Sequence, residues 1–383
     1  MDKTKINRLI LLGNGFDLAH GLKTGYNDFI VWYLENCLSE AQQNMRYSDP
    51  IFDVFVRNVN TIKDLWKYKL DNVKSFVEYF YNKGFRTIIK QNSFKIEGVQ
   101  NDWENPFDIN VKSRFIENLI MNCSFDNWVD IENVYYEELK FILSRSPNID
   151  RMVEVRDLNN ALSYLIEQLE KYLQSIKIIH KIDEYDDIFN SPYESKEFVD
   201  DVLSPRLNMT IESTLIVNFN YTSTVELYID HQSISELYFD INYIHGKLRD
   251  KNNTLIFGFG DELDSEYLNF ELDKTKGIFD YIKSFWYFKT SNYYNLIRFI
   301  ESNDFQVYIL GHSCGLSDRT MLNMIFEHDN CKSIKIFYHQ NGVRNNYTEL
   351  THEISRHFKN KQKMRRRIVS FDKSSPMPQV DIK

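Results

Sequence analysis

The stretch "RLILLGNGFDLAHGLKT", residues 8–24, constrains the fold more than any other. Four apolar residues, Leu9 to Leu12, run into Gly13-Asn14-Gly15, and a polar, helix-compatible segment follows. A buried strand that delivers a phosphate-binding turn to a helix N-terminus reads this way. The dinucleotide fingerprint is incomplete, however. Leu18 stands where a third glycine belongs, and Glu35, near the spacing of an acidic ribose ligand, lies in a stretch that reads as helix.

The next 190 or so residues read as almost entirely helical. "YNDFIVWYLENCLSEAQQNM", "FVRNVNTIKDLWKYKLDNVKSFVEYFYN", "DNWVDIENVYYEELKFILS" and "DLNNALSYLIEQLEKYLQSIKIIHKIDEY" each repeat apolar residues at helical spacing. Between the second and third, "KGFRTIIKQNSFKIEGVQNDWENPFD" reads as irregular or briefly extended. From residue 213 the pattern changes. "STLIVNFN", "LYFDINYIHG", "TLIFGFG", "FQVYILGHS" and "SIKIFYHQ" are short, β-branched and aromatic, with helical stretches at 222–232, about 264–303 and 317–329. Such alternation predicts a mostly parallel sheet with helices on both faces. One strand at the start cannot form a sheet alone, so it joins the later ones. The expected organisation is one Rossmann-like α/β domain over 1–383, with a core of 5–25 and 210–375 and a large helical insertion at 26–205.

Composition narrows the partners. With 43% hydrophobic and 26% charged residues the chain is expected to be globular, and a net charge of -9 argues against broad nucleic-acid binding. The basic run "NKQKMRRR" is the exception, and runs of this kind are ordinarily solvated. Four scattered cysteines without a C-x-x-C pair predict neither a disulfide framework nor a metal site. The N-terminus lacks the features of a signal peptide, and no run approaches the roughly 18 apolar residues of a membrane span. A cytoplasmic protein is expected, without membrane association. The 15% aromatic content points to a homo-oligomer joined through residues 26–205.

Ligands of open α/β sheets sit beyond the carboxyl ends of the strands, so polar residues directly after strands are the candidates. They are Gly13-Asn14-Gly15-Phe16-Asp17, Asn218-Phe219-Asn220-Tyr221-Thr222, His245-Gly246, and Gly311-His312-Ser313 with Asp318 shortly after. Each also has a plain structural explanation. Glycines serve any tight strand-to-helix turn, "NFNYTST" can simply cap a helix, and His245 can be a core histidine. "GHSCG" also touches the G-x-S-x-G nucleophile elbow, with His339, His352 and His357 downstream.

Read in order, the four strand ends resemble the NAD-binding sequence of the sirtuins: G-x-G, an N-x-N-Y asparagine, His-Gly, then a G-x-S loop. A fuller resemblance is to AbiH-type phage abortive-infection proteins. It is carried by "LLGNGFDLAHGLKTGYNDF", "DNWVDIENVYYEEL", "NFNYTSTVE", "YIHG" and "ILGHSCGLSD" and runs from residue 9 to about 329. The resemblance implies an antiphage NAD hydrolase that releases nicotinamide and ADP-ribose, gated by a phage-derived trigger or partner protein. By the same resemblance Asn220 and His245 are catalytic. Gly13, Asn14, Gly15, Phe16 and Asp17 form the turn against NAD or a related nucleotide, and backbone N–H groups from Gly13 to Phe16 would hold the diphosphate. "GLKTGYNDF" resembles a flap over the nicotinamide, with Asp28 and Phe29. Gly311 and Ser313 match the loop that takes the adenosine ribose and phosphates, and His312 and Asp318 are further candidate cofactor-binding residues.

Two positions depart from the sirtuin pattern. Asp17 stands for its serine, and Thr222 for the aspartate that reads the carboxamide. No zinc ribbon is present, so an acetyl-lysine groove is not expected. These departures keep open a second reading, a nucleotide-binding sensor without turnover. In "DNWVDIENVYYEEL", Trp128, Ile131 and Tyr135 share a helical face of the ordinary packing kind, while Glu132 is either solvated or reaches the pocket.

Overall fold

The computed structural model describes residues 5–56, 72–74, 85–90, 93–98, 107–125, 130–145, 149–178, 180–199, 209–229 and 238–380. In chain order the strands are β1 (Lys5–Leu12), β2 (Arg46–Ser48), β3 (Phe52–Val56), β4 (Phe85–Lys90), β5 (Ser93–Gly98) and β6 (Phe107–Val111). They continue with β7 (Thr210–Asn218), β8 (Tyr238–Tyr243), β9 (Phe305–Leu310), β10 (Cys331–Tyr338), β11 (Gln340–Asn341), β12 (Arg344–Asn345) and β13 (Ser375–Pro376).

Every residue of β1 after Lys5 is buried, as a strand covered on both faces requires. β1 pairs in parallel with β7 on one side and β9 on the other. β8 extends the sheet past β7, and β10 and β13 extend it past β9, again all parallel. Counted by position in the chain, the six strands lie in the order 3-2-1-4-5-6 from the β8 edge. The order reverses beside β1, and in open sheets the ligand crevice lies outside the carboxyl ends at such a reversal.

Alternate side chains feed two cores. Leu9, Leu11, Val217, Ile309 and Ile336 pack with Leu296 and Ile300 of the helix Asn292–Ser302 and with Leu322 and Ile325 of the helix Arg319–Glu327. Ile10, Leu12, Ile216, Tyr308 and Phe337 face the other way, onto Phe16, Tyr185, Phe189 and Tyr228.

Two compact units result: Met1–Lys23, Ile176–Tyr267 and Ile282–Lys383 form one, and Thr24–Ser175 with Leu268–Tyr281 the other. This differs from a core of 5–25 and 210–375 interrupted by a block at 26–205. The described part of 176–199 packs on the parallel sheet because its groups satisfy charges buried there. Arg8, in β1, donates to the Ser191 carbonyl (2.7 Å). Glu197 accepts from Lys335 Nζ (2.6 Å) in β10 and from the Tyr308 hydroxyl (3.2 Å) in β9.

The second unit corrects the almost entirely helical expectation, while the stretch at 83–108 expected to be irregular or briefly extended supplies β4, β5 and the start of β6. It contains a five-stranded antiparallel sheet, β2-β3-β6-β5-β4, besides the helices Tyr26–Asn44, Arg114–Phe125, Ile131–Leu143 and Ile149–Ser175. In β3, buried Phe52 and Val54 alternate with partly exposed Asp53 and exposed Phe55, and this period of two is too short to stand out beside helical runs. Most of the helix expected over "FVRNVNTIKDLWKYKLDNVKSFVEYFYN" lies outside the described residues, and its first two residues belong to β3. "TLIFGFG" is not a strand either: apart from one bridge between Phe259 and Ile282 it is loop, broken at Gly258 by a φ of 144°.

Candidate functional site

Because β1 and β9 are neighbours, the loops that leave them meet. The Gly13 N–H donates to the Leu310 carbonyl (3.1 Å), the Gly15 N–H to the Gly311 carbonyl (2.8 Å), and the Phe16 N–H to the Gly13 carbonyl (2.9 Å). A Cβ on Gly13 would stand 2.5 Å from His312 Cα, and one on Gly311 2.2 Å from Phe16 N. The glycines therefore let two backbones touch, and Gly311 adopts a φ of +70° to do so. This corrects the expected cradle: the N–H groups of Gly13, Gly15 and Phe16 are already engaged within the protein. Asn14 opens the helix Asn14–Ala19.

The β7 loop is tied to the same turn. The Asn220 amide nitrogen donates to the Gly13 carbonyl (3.0 Å), and the Asn220 N–H donates to Asn218 Oδ1 (3.0 Å). The Thr222 hydroxyl donates to Asp17 Oδ2 (2.5 Å), while Asp17 Oδ1 takes no hydrogen bond. Burial pushes the Asp17 carboxyl up to about 6, against the opposing pull of Thr222, Thr224 and Asn220.

A second cluster forms around Asp318. Its Oδ1 lies 2.8 Å from Lys283 Nζ and 3.1 Å from His245 Nε2, and its Oδ2 lies 3.7 Å from His312 Nε2. Burial alone would raise this carboxyl, but Lys283 and His245 hold it well below the usual range. His245 Nε2 also lies 3.2 Å from the Tyr287 hydroxyl, and the edge of Phe219 meets both imidazoles. Burial, then the Lys283 charge, lower His245 from its ordinary value. His312 Nδ1 accepts from the Cys314 N–H (2.9 Å), so the neutral ring carries its proton on Nε2. Burial brings His312 down to about 4.

The first unit thus gathers Gly13, Asp17, Asn220, Thr222, His245, Gly311, His312 and Asp318 at the strand ends. Asp28 and Phe29 lie in the second unit, on the helix Tyr26–Asn44, where Phe29 packs against Trp32 and Tyr172. Trp128 falls outside the described residues. Glu132 is buried in the second unit, on a helix capped by Asp130, whose carboxylate accepts from the Glu132 and Asn133 N–H groups. Ser313 is exposed, and no hydrogen bond joins it to a histidine among the described residues. His357 Nε2 lies 2.8 Å from the Cys314 carbonyl instead, and His339 and His352 are exposed, so the elbow lacks a base. Lys283 and Tyr287 were not legible in the sequence, because "YIKSFWYF" carries no motif. Among the described residues no three His, Cys, Asp or Glu side chains are placed to hold a metal ion, and no helix is long and apolar enough to cross a membrane.

A parallel sheet in this order, with two buried clusters of polar side chains at its carboxyl ends, defines an α/β protein with a candidate site at the strand ends. A family model described as bacteriophage abortive infection AbiH matches residues 9–340, and the chain belongs to that family. Membership points to a role in phage abortive infection. No curated protein matches the chain.

Proposed function

We propose that this protein is an abortive-infection effector that hydrolyses the nicotinamide–ribose bond of NAD, giving nicotinamide and ADP-ribose. The observation that carries the reading is His245, a buried imidazole held against Asp318 at the strand ends of a Rossmann-ordered sheet. The nicotinamide leaving group is already cationic, so no strong general acid is needed. Water oxygen bonds to the ribose C1′, the C1′–N bond breaks with both electrons going to nicotinamide, and the water proton passes to His245. A neutral histidine suits that role, and a carboxylate stabilises the imidazolium it becomes. Asp17 and Thr222, the two departures from the sirtuin pattern, prove to be one hydrogen-bonded pair. The carboxyl and hydroxyl of that pattern are both present, with their strands exchanged.

Incubating the purified chain with NAD and resolving nicotinamide and ADP-ribose chromatographically tests the reading. His245→Ala is expected to abolish turnover while leaving the circular dichroism spectrum unchanged; full activity in that variant sinks the proposal. Asn220→Ala is expected to lose turnover together with some stability, because its amide pins the Gly13 carbonyl. One observation favours the second reading, a nucleotide sensor: the Asn220 amide, which would orient the attacking water, is committed to the Gly13 carbonyl. Thermal stabilisation by ADP-ribose with no NAD turnover would establish it. A homo-oligomer belongs to the same proposal as a means of gating, and light scattering that gives a monomer with and without NAD removes it.

A further inference from the structure

We infer that Lys283 is a positioning residue of this site: its ammonium is the counter-charge that lets Asp318 remain ionised beside His245 without drawing a proton onto the ring. The inference rests on the reading of His245 as the base. Lys283 has no exposed surface, and its Nζ meets the same carboxylate oxygen that faces His245 Nε2. A buried ion pair is seldom retained for stability, since apolar residues of similar volume serve packing as well or better. The backbone is also built around this side chain. The Lys283 N–H donates to the Phe259 carbonyl (3.0 Å), and Gly260 leaves room where a Cβ would stand 3.4 Å from Lys283 Cβ and 2.9 Å from the Ser317 carbonyl oxygen.

The charges close to zero. Asp318 and Lys283 cancel, and His245 and His312 stay neutral. The other groups facing His245 are the Tyr287 hydroxyl, the Phe219 ring and the Phe219 backbone, with which it is hydrogen-bonded, while Arg319 is paired with Asp261 (3.0 Å). Without the ammonium, a buried carboxylate would be left 3.1 Å from an imidazole. Protonating that ring is then the nearest way to neutralise it. Lys283 therefore decides whether His245 is free to accept a proton at neutral pH. Burial and the Lys283 charge acting in the same direction on His245 agree with this.

The test is the NMR titration of His245 in protein carrying isotope-labelled histidine, which needs no turnover. In Lys283→Met the His245 midpoint is expected to rise by about 1 to 2 pH units, and in Lys283→Met/Asp318→Asn to fall back toward the parent value. If NAD is turned over, the acid limb of the pH–rate profile moves in parallel. An unchanged His245 midpoint in folded Lys283→Met overturns the inference, whatever the outcome of the NAD assay. Should that variant not fold, Asp318→Asn is compared with the double variant. Loss of the nearby cation is then expected to raise the His245 midpoint, and no difference between the two refutes the role of Lys283.

Discussion

Asp17 shows how much one side chain can state about a site. The folded protein holds its proton up to about pH 6, whereas an ordinary aspartate releases it near 3.8. A carboxyl raised on folding contributes stability that is fully present below the unfolded value and is lost as pH climbs through the folded one. Over that window the loss is on the order of 3 kcal/mol. Asp17→Asn is therefore expected to stabilise the chain at pH 7.5 but not at pH 3.5, as read from urea midpoints. A difference that does not change with pH would show that the carboxyl is not raised.

At the scale of elements, the β1 and β9 loops interlock at the candidate site, and the 189–197 segment satisfies charges buried in the sheet. Gly311 combines a φ of +70° with a Cβ position 2.2 Å from Phe16 N, whereas Gly342 has a φ of +58° and nothing within 4 Å of its Cβ position. Gly342→Ala should cost only the left-handed conformational penalty of about 1 to 2 kcal/mol. Gly311→Ala must also part the two loops, and several kcal/mol more, with loss of the native near-ultraviolet signal, are expected in denaturation experiments. Equal costs would mean that the loops do not depend on their close contact. In the same way, Glu197→Ala leaves the buried Lys335 ammonium without its carboxylate, and about 3 to 5 kcal/mol of stability is expected to go with it.

For the whole molecule, buried histidines govern the response to acid. Burial brings both His312 and His357 down to about 4, so the folded chain keeps them neutral while the unfolded chain takes up protons below about 6.5. Their contribution is fully present above pH 6.5 and is lost as pH falls toward 4, roughly 3 kcal/mol for each. Asp17 has the opposite sign and offsets about one of them. Thermal melts should therefore show falling stability from pH 6.5 to 4.5, and His357→Gln should flatten that slope. A melting temperature that is constant across this range would contradict the buried, neutral histidines.

The sequence by itself determined the parallel sheet and most of the polar residues gathered at its strand ends. Each strand carries its polar residues at its own carboxyl end, so any parallel arrangement of "LILLGNG", "LIVNFN", "DINYIHG" and "VYILGHS" collects Gly13, Asn220, His245 and His312 along one edge. Local pattern suffices there, because strand direction alone sets the gathering. The tertiary structure decided what no local pattern contains. The neighbourhood of β1 and β9 turned the glycine N–H groups from presumed ligand donors into ties between loops. The short alternation of β3 is outweighed in the chain by longer helical periods, and pairing with β6 is what makes it a strand. Lys283 reaches its site only by meeting Asp318, 35 residues further along the chain. A lysine is hydrophilic wherever it stands in a sequence, and only a buried partner for its charge makes it part of a core.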